Sequence, residues 1–466
     1  MTPTRVLRLQ LTLLASFLLL ACTAYAAPVP GAPVLMISID GLKPEYITHA
    51  DEHGMKLPYL RSVMHDGAYA DGVVGVWPTV TYPSHTTLIT GVWPAEHGIL
   101  NNVEFDPEQR LAGGWNWYAA EIRVPTLWDA AHRAGLRTAS VGWPVSVGAN
   151  VDWLIPEYWR GQNVSGSSDA NDRLLMAALA KPTTLFSELE PAAGDYMMGN
   201  DTSVEGDEAK TRYALEILHL HKPGFMTLHL SSLDEAQHMH GPFSAEADAT
   251  LESIDGMVAR LAKQEFANDP KAVVVIVSDH GFMKITHFVN LLIPFLQAGL
   301  METSTNATTK ATTVSSWKAA PWMAGGMAAI MLHDANDQKT EKQVGEMLHG
   351  LAADSANGIA QILDRAEIAK RGSYPDAAFL VVFEPAYYAG TATSGDLITP
   401  IAGTRGSHGF SPDYPEMRSS FFAVGAGIAH HRALGVVDMR QIAPTVAEIL
   451  HAPMPTAKAA PLHVEP

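Results

Sequence analysis

Three separate stretches of this chain repeat one design, an apolar run that ends on a carboxylate. Val34-Leu35-Met36-Ile37-Ser38-Ile39 runs into Asp40-Gly41. Gly224-Phe225-Met226-Thr227-Leu228-His229-Leu230 leads through two serines to Asp234, and Ala272 to Ser278 leads into Asp279-His280-Gly281. Runs without polar alternation describe strands of parallel sheet covered on both faces. Ala247, Leu251, Ile254, Val258 and Leu261 recur at spacings of three and four behind Ser244, which predicts a helix capped by that serine. Further strands are expected at Gly326 to Leu332, Ala378 to Phe383 and Phe421 to Val424, and a closing helix from Met439 to Leu450. This alternation predicts one large α/β domain, a mostly parallel central sheet flanked by helices. Ligands of such sheets bind at the carboxyl ends of the strands, where Asp40, Asp234 and Asp279 fall. One such aspartate is unremarkable as a helix N-cap; three with the same setting point to a shared site.

Composition narrows what that site can be. Lys and Arg number 31 against 49 Asp and Glu, a formal charge of −18. That excludes coating of nucleic acid, which needs a basic footprint, and leaves an anionic substrate in need of a local attractor such as a metal ion. Cys22 is the single cysteine, so the domain can hold no internal disulfide, Cys-rich zinc site or thiol nucleophile. Twenty histidines are present to supply metal ligands instead.

Residues 1–26 read as an export signal: Arg5 and Arg8, then the apolar run Leu9 to Ala21, then Ala24-Tyr25-Ala26 as a small-x-small cleavage site. The run is short for a membrane span, which takes about 20 residues. Leu19-Leu20-Ala21-Cys22 also resembles a lipoprotein cleavage box, which would make Cys22 a lipid anchor. Either reading puts the mature protein outside the cytosol, in the periplasm or extracellular space. Residues 27–466 are then expected to form the mature domain. Six of the ten tryptophans lie between residues 103 and 161, a loop-rich stretch expected either to pack as an excursion or to roof the substrate.

Asp234 and His238, four apart on a helical turn, would face one side. With a third histidine they satisfy the three-ligand rule of an open catalytic zinc site. Asp279-His280 reaches a second ion if the chain bends at Gly281, and His408 sits in Gly406-Ser407-His408-Gly409, where glycines permit close backbone approach. His65, His229, His240 and His287 are expected in supporting, surface or core positions. Two divalent ions about 3.5–4 Å apart clamp the attacking and leaving oxygens of phosphoryl transfer. Two zincs carry four positive charges and the three aspartates return three, so an ionised hydroxyl brings the site near neutrality, which suits a phosphodiester better than a monoester. His and Asp ligands fit zinc and also admit manganese or iron.

The segment Trp77-Pro78-Thr79-Val80-Thr81-Tyr82-Pro83-Ser84-His85, followed by His97-Gly98-Ile99 and Asn101-Asn102, resembles the nucleotide pyrophosphatase/phosphodiesterase family of the alkaline phosphatase superfamily. The resemblance runs from Ser38-Ile39-Asp40-Gly41 through the Asp234/His238 pair and Ser278-Asp279-His280-Gly281 to Gly406-Ser407-His408-Gly409-Phe410. It implies an alkaline-phosphatase-like fold and two zinc ions, one held by Asp40, Asp279, His280 and Thr81, the other by Asp234, His238 and His408. It selects Thr81 over its neighbour Thr79 as the nucleophile that carries a phosphothreonine intermediate. It gives Asn102, with the Thr81 backbone N–H, a hydrogen bond to a phosphate oxygen, and gives Tyr82 a stacking role on a nucleobase. The implied substrate is a small phosphodiester or nucleotide pyrophosphate. The family's larger members carry Cys-rich and nuclease-like domains that this chain cannot encode. A phosphomonoesterase or phosphonate hydrolase of the same superfamily, or a metal-binding lipoprotein without catalysis, is the rival reading. A sulfatase is excluded, since Thr81 cannot become formylglycine.

Overall fold

The computed structural model describes residues 31–108, 110–111, 114–159, 169–196, 202–305 and 312–466. The expected export signal, Cys22 included, lies outside the described residues. Eight strands form the central sheet: β1 (Val34–Ile39), β2 (Ala68–Tyr69), β3 (Thr138–Val141), β4 (Trp153–Ile155), β5 (Phe225–Leu230), β6 (Val273–Val277), β7 (Phe421–Gly425) and β8 (Arg432–Ala433). Their order is β8-β2-β7-β6-β1-β5-β3-β4. β1 lies between β5 and β6, parallel to both, with Ser38 opposite His229 on one side and Val277 on the other.

Successive side chains of β1 point to opposite faces, so an apolar run serves two cores at once. Leu35, Ile37 and Ile39 join one cluster, packed under Tyr213 and Ile217 of helix α2 (Val204–His221) and Leu251, Ile254 and Val258 of helix α4 (Ala245–Asn268). Val34 and Met36 join the other, against Leu88 and Ile89 of helix α1 (Thr81–Thr90) and Val446 of the helix Ile442–Ile449. Ser244 caps α4 as expected, accepting the Ala247 N–H at 3.2 Å.

Three expectations change in detail. The strands near Gly326 and Ala378 form, as Met327–Leu332 and Phe379–Phe383, but they pair antiparallel in a separate four-stranded sheet with Ala319–Met323 and Ile359–Asp364. The helix Gln338–Ala352 lays Val344 and Leu348 on that sheet and covers it. β7 joins the central sheet, yet runs antiparallel to β6. The closing helix starts as a 3-10 turn, Met439–Gln441, before Ile442–Ile449. A short apolar run carries no record of which sheet it will join or in which direction, so pairing is settled by the connections.

The register places the C-terminal ends of β1, β5 and β6 along one edge. Asp40 and Asp279 follow β1 and β6 directly, and helix α3 (Ser232–His240) begins just after β5, carrying Asp234 and His238.

Candidate metal centre

Each ligand side chain is set by its backbone. Gly41 turns at φ +70°, and its N–H donates to Asp279 Oδ1 at 3.2 Å, joining the ends of β1 and β6. A Cβ on Gly281 would collide with the carbonyl of Glu416, so the bend after His280 requires glycine. Asp234 and His238 share a face of α3, with Oδ2 and Nε2 3.3 Å apart. His408 follows the strand Ile398–Ser407, and the glycine beside it is used for close approach: a Cβ on Gly409 would strike the Ala324 carbonyl.

The three histidines are oriented alike. Nδ1–H of His238 donates to Gly406 O at 3.1 Å, that of His408 to Thr79 O at 3.2 Å, and that of His280 to Gly281 O at 3.2 Å. A backbone carbonyl on Nδ1 fixes the tautomer that leaves Nε2 with its lone pair, the form that binds metal. These Nε2 atoms turn toward carboxylates: His280 to Asp279 Oδ2 at 3.0 Å and Asp40 Oδ1 at 3.4 Å, His408 to Asp234 Oδ1 at 3.7 Å. Ligand atoms of Asp40, Asp279 and His280 lie within 4.8 Å of one another, as do those of Asp234, His280 and His408. His280 thus stands between both groups, its ring stacked on His408 at 3.7 Å.

Asp40 Oδ1, Asp234 Oδ1, Asp279 Oδ2 and His280 Nε2 are buried without a hydrogen-bond partner among the described residues. Leaving such atoms unsatisfied costs about 1–3 kcal/mol each, more when charged. Burial, and then repulsion from Asp279 and Asp234, pushes the Asp40 carboxyl well above the usual carboxylate range. Burial works against the charge of Asp234 too, yet His238 and His408 hold it down at about 2. Divalent cations would relieve both the bare acceptors and the crowding of like charge, so the donor set fits metal.

Thr81 opens α1 beside this cluster. Its carbonyl accepts Nδ1–H of the buried His85 at 2.8 Å, while Ser38 Oγ donates to His85 Nε2 at 2.8 Å. His85 also lies 3.6 Å from Asp279 Oδ2, and burial keeps its ring neutral by lowering its pKa to about 4. Thr79, the local rival, is buried with its hydroxyl donated to Phe410 O at 2.6 Å, whereas Thr81 is partly open to solvent. Asn102 Oδ1 accepts the Tyr82 N–H at 2.9 Å, so what Asn102 retains to offer is its amide NH2.

Tyr82 requires a correction. Its ring is fully buried, its hydroxyl donates to Glu157 Oε1 at 2.7 Å, and Trp115 meets it edge-on at 5.3 Å. A ring so enclosed has no open face for a nucleobase, so Tyr82 is a packing residue. The Trp-rich stretch also divides. Trp115, Trp117 and Trp159 gather with Tyr158 beside Tyr82, while Trp128 and Trp143 are core residues under the sheet and Trp153 stacks on His221. His65 and His240 are exposed, as expected of residues outside the site.

Glu157 escaped the motif reading, while His229, expected in a supporting, surface or core position, lies against Asp40. His229 lies 3.0 Å from Asp40 Oδ2 through Nε2 and 2.9 Å from Glu157 Oε2 through Nδ1. Burial opposes a charge on this ring, but the two carboxylates raise its pKa to about 10. The available signal was a histidine inside a run buried on both faces, which must find polar partners. Glu157 had no such signal.

Comparison with known proteins agrees with this geometry. A family model described as type I phosphodiesterase/nucleotide pyrophosphatase matches residues 34–411. Ectonucleotide pyrophosphatase/phosphodiesterase family member 1 of Rattus norvegicus is 26% identical over 276 residues, 56% of this chain and 26% of the relative. Venom phosphodiesterase 2 of Crotalus adamanteus is 24% identical over 264 residues, 55% of this chain and 27% of the relative. The chain therefore matches about a quarter of the length of these curated relatives. Among solved structures, murine ectonucleotide pyrophosphatase/phosphodiesterase 5 superposes with a TM-score of 0.61 at 18% identity, covering 92% of this chain and 97% of that one. An inactive variant of that protein in complex with AMP matches equally. At this identity the likeness speaks for the fold, an α/β architecture around a large mostly parallel sheet. With the family model spanning most of its length, the chain belongs to the type I phosphodiesterase/nucleotide pyrophosphatase family.

Proposed function

We propose that this chain hydrolyses phosphodiester or pyrophosphate bonds of nucleotides at a two-zinc site, with Thr81 as nucleophile. The observation that carries the reading is the meeting of Asp40, Asp234, Asp279, His280 and His408, the first four with bare ligand atoms and Asp234 paired with His238, beside the partly open Thr81. Asp40, Asp279, His280 and Thr81 would hold one ion, and Asp234, His238 and His408 the other. When bound, the two cations supply the Lewis acidity that lowers the hydroxyl pKa and neutralises charge on the phosphoryl oxygens.

Thr81 gives up its hydroxyl proton and Oγ1 forms a bond to phosphorus as the bond to the leaving oxygen breaks; the leaving alcohol or phosphate takes up a proton in turn. Water attacks the phosphothreonine, the Thr81–phosphorus bond breaks, and the hydroxyl is restored. Asn102, oriented through its Oδ1, donates from its amide to a non-bridging oxygen, an interaction that strengthens as negative charge develops. The balance of three carboxylates against four metal charges favours the diester. The relatives' names and the AMP complex of the murine neighbour favour a nucleotide.

Export completes the reading. Residues 1–26 have the layout of a secretory signal, with cleavage after Ala26 or lipid attachment at Cys22, and the mammalian relatives are named as ectoenzymes. Among the described residues no helix is long and apolar enough to cross a membrane.

The purified protein is expected to cleave bis-p-nitrophenyl phosphate faster than p-nitrophenyl phosphate and to release AMP from a dinucleoside pyrophosphate. Chelation should abolish both activities and zinc should restore them. Preference for the monoester would reassign the chain as a phosphomonoesterase. Absence of chelator-sensitive turnover on all three substrates would leave a metal-binding protein without catalysis.

A further inference from the structure

We infer that His229 and Glu157 are positioning residues for Asp40, forming a buried carboxylate–imidazole–carboxylate chain that occupies one Asp40 oxygen and presents the other to a cation. Three remote parts of the chain meet to build it: Asp40 at the end of β1, His229 within β5, and Glu157 just beyond β4. His229 reaches Asp40 Oδ2 at 3.0 Å and Glu157 Oε2 at 2.9 Å. Asp40 Oδ1, the atom on the His280 side, is the one left without a hydrogen-bond partner.

The arrangement exceeds what satisfying a buried histidine demands. One acceptor on each ring nitrogen is enough, and Gly142 O already lies 3.2 Å from Nδ1. A buried carboxylate in addition requires its own stabilisation, and the fold provides it. Tyr82 Oη donates to Glu157 Oε1 at 2.7 Å, and the nearby ammonium of the buried Lys210 favours the charged form of Glu157. Lys210 is itself held by Asp207 at 3.3 Å and Ser231 at 3.0 Å. A carboxylate is free to rotate about its terminal bond; pinning Oδ2 removes that freedom and fixes where Oδ1 points. Partners of this kind around a ligand are worth about 10–100-fold in metal affinity.

The inference rests on the proposed two-cation site, and one experiment separates the two. Metal-free protein is titrated with Zn2+ against a chromophoric chelator, comparing the native chain with Asp40→Asn, Glu157→Gln, His229→Gln and Tyr82→Phe. The native chain should bind two equivalents, and Asp40→Asn should lose one of them. Glu157→Gln and His229→Gln should weaken that same equivalent by about 10–100-fold and leave the other unchanged. Tyr82→Phe, which removes only the outermost hydrogen bond, should weaken it by a few fold, or about 1 kcal/mol at most. If Asp40→Asn loses an ion while Glu157→Gln and His229→Gln bind both as the native chain does, the positioning role is overturned and the two-cation reading survives. If the native chain binds fewer than two, both fall. Should His229→Gln fail to fold, the near-isosteric Glu157→Gln decides the matter.

Discussion

The proposed metal-ligand wall and the aromatic wall meet at the same short segment, residues 79–82, but are built on opposite plans. The ligand wall hangs from the ends of three paired strands and one glycine-lined turn, and its histidines are oriented by backbone carbonyls. The aromatic wall joins Tyr82, at the head of α1, to the loop residues Trp115, Trp117, Tyr158 and Trp159, whose rings pack on one another. Backbone-held atoms tolerate little displacement, while a packed aromatic cluster can lose a member and resettle. The first plan suits chemistry that depends on fixed positions; the second suits enclosure.

Thr81→Ala breaks the comparison hardest. Removing the proposed nucleophile should lower turnover at least about 10³-fold, while the content of bound metal stays at the native value because the six other proposed ligands remain. Near-native rates in that variant, measured on bis-p-nitrophenyl phosphate, would detach Thr81 from the ligand wall. Tyr82→Ala probes the other wall. A fully buried ring should cost about 3–5 kcal/mol of unfolding free energy in denaturant titrations. A loss of nucleotide affinity with stability untouched would instead restore the stacking role.

Glu265 of α4 belongs to neither wall and sharpens the contrast through pH. Burial pushes its carboxyl up to about 7 from an ordinary 4.5, so the folded chain keeps a proton that the unfolded chain releases earlier. Its contribution to stability is therefore fullest below pH 4.5, falls between 4.5 and 7, and is flat above that range. Glu265→Gln should raise stability at pH 8 by about 1–3 kcal/mol and flatten that slope, as followed by thermal unfolding. A change in its metal content would show that the helix layer and the ligand wall are coupled.

How much of this was legible in the sequence follows from what each residue answers to. The ligands stand at strand ends or beside glycines, positions that local pattern and spacing reveal, and the structure gathers all six. Choosing Thr81 over Thr79 needed family resemblance; the structure adds a reason, since Thr79 spends its hydroxyl on Phe410. Tyr82 misled because adjacency to the nucleophile says nothing about which way a ring turns, and the turn at the head of α1 buries it. Glu157 was invisible because its partners, His229, Tyr82 and Lys210, are 72, 75 and 53 positions away in the chain. The separate antiparallel sheet was missed for a related reason, since pairing partners are not written in the runs themselves.

The carbonyl of Thr79 accepts both the ring of His408 and the N–H of Gly409. The clasp joins positions separated by 329 residues. Asp40, Asp234 and Asp279 all precede His408 in the chain, so His408 is the last of the proposed ligands to be synthesised. A chain without the segment from Gly406 onward would lack His408 together with β7 and β8, so the central sheet and the proposed metal centre are completed by the same C-terminal stretch.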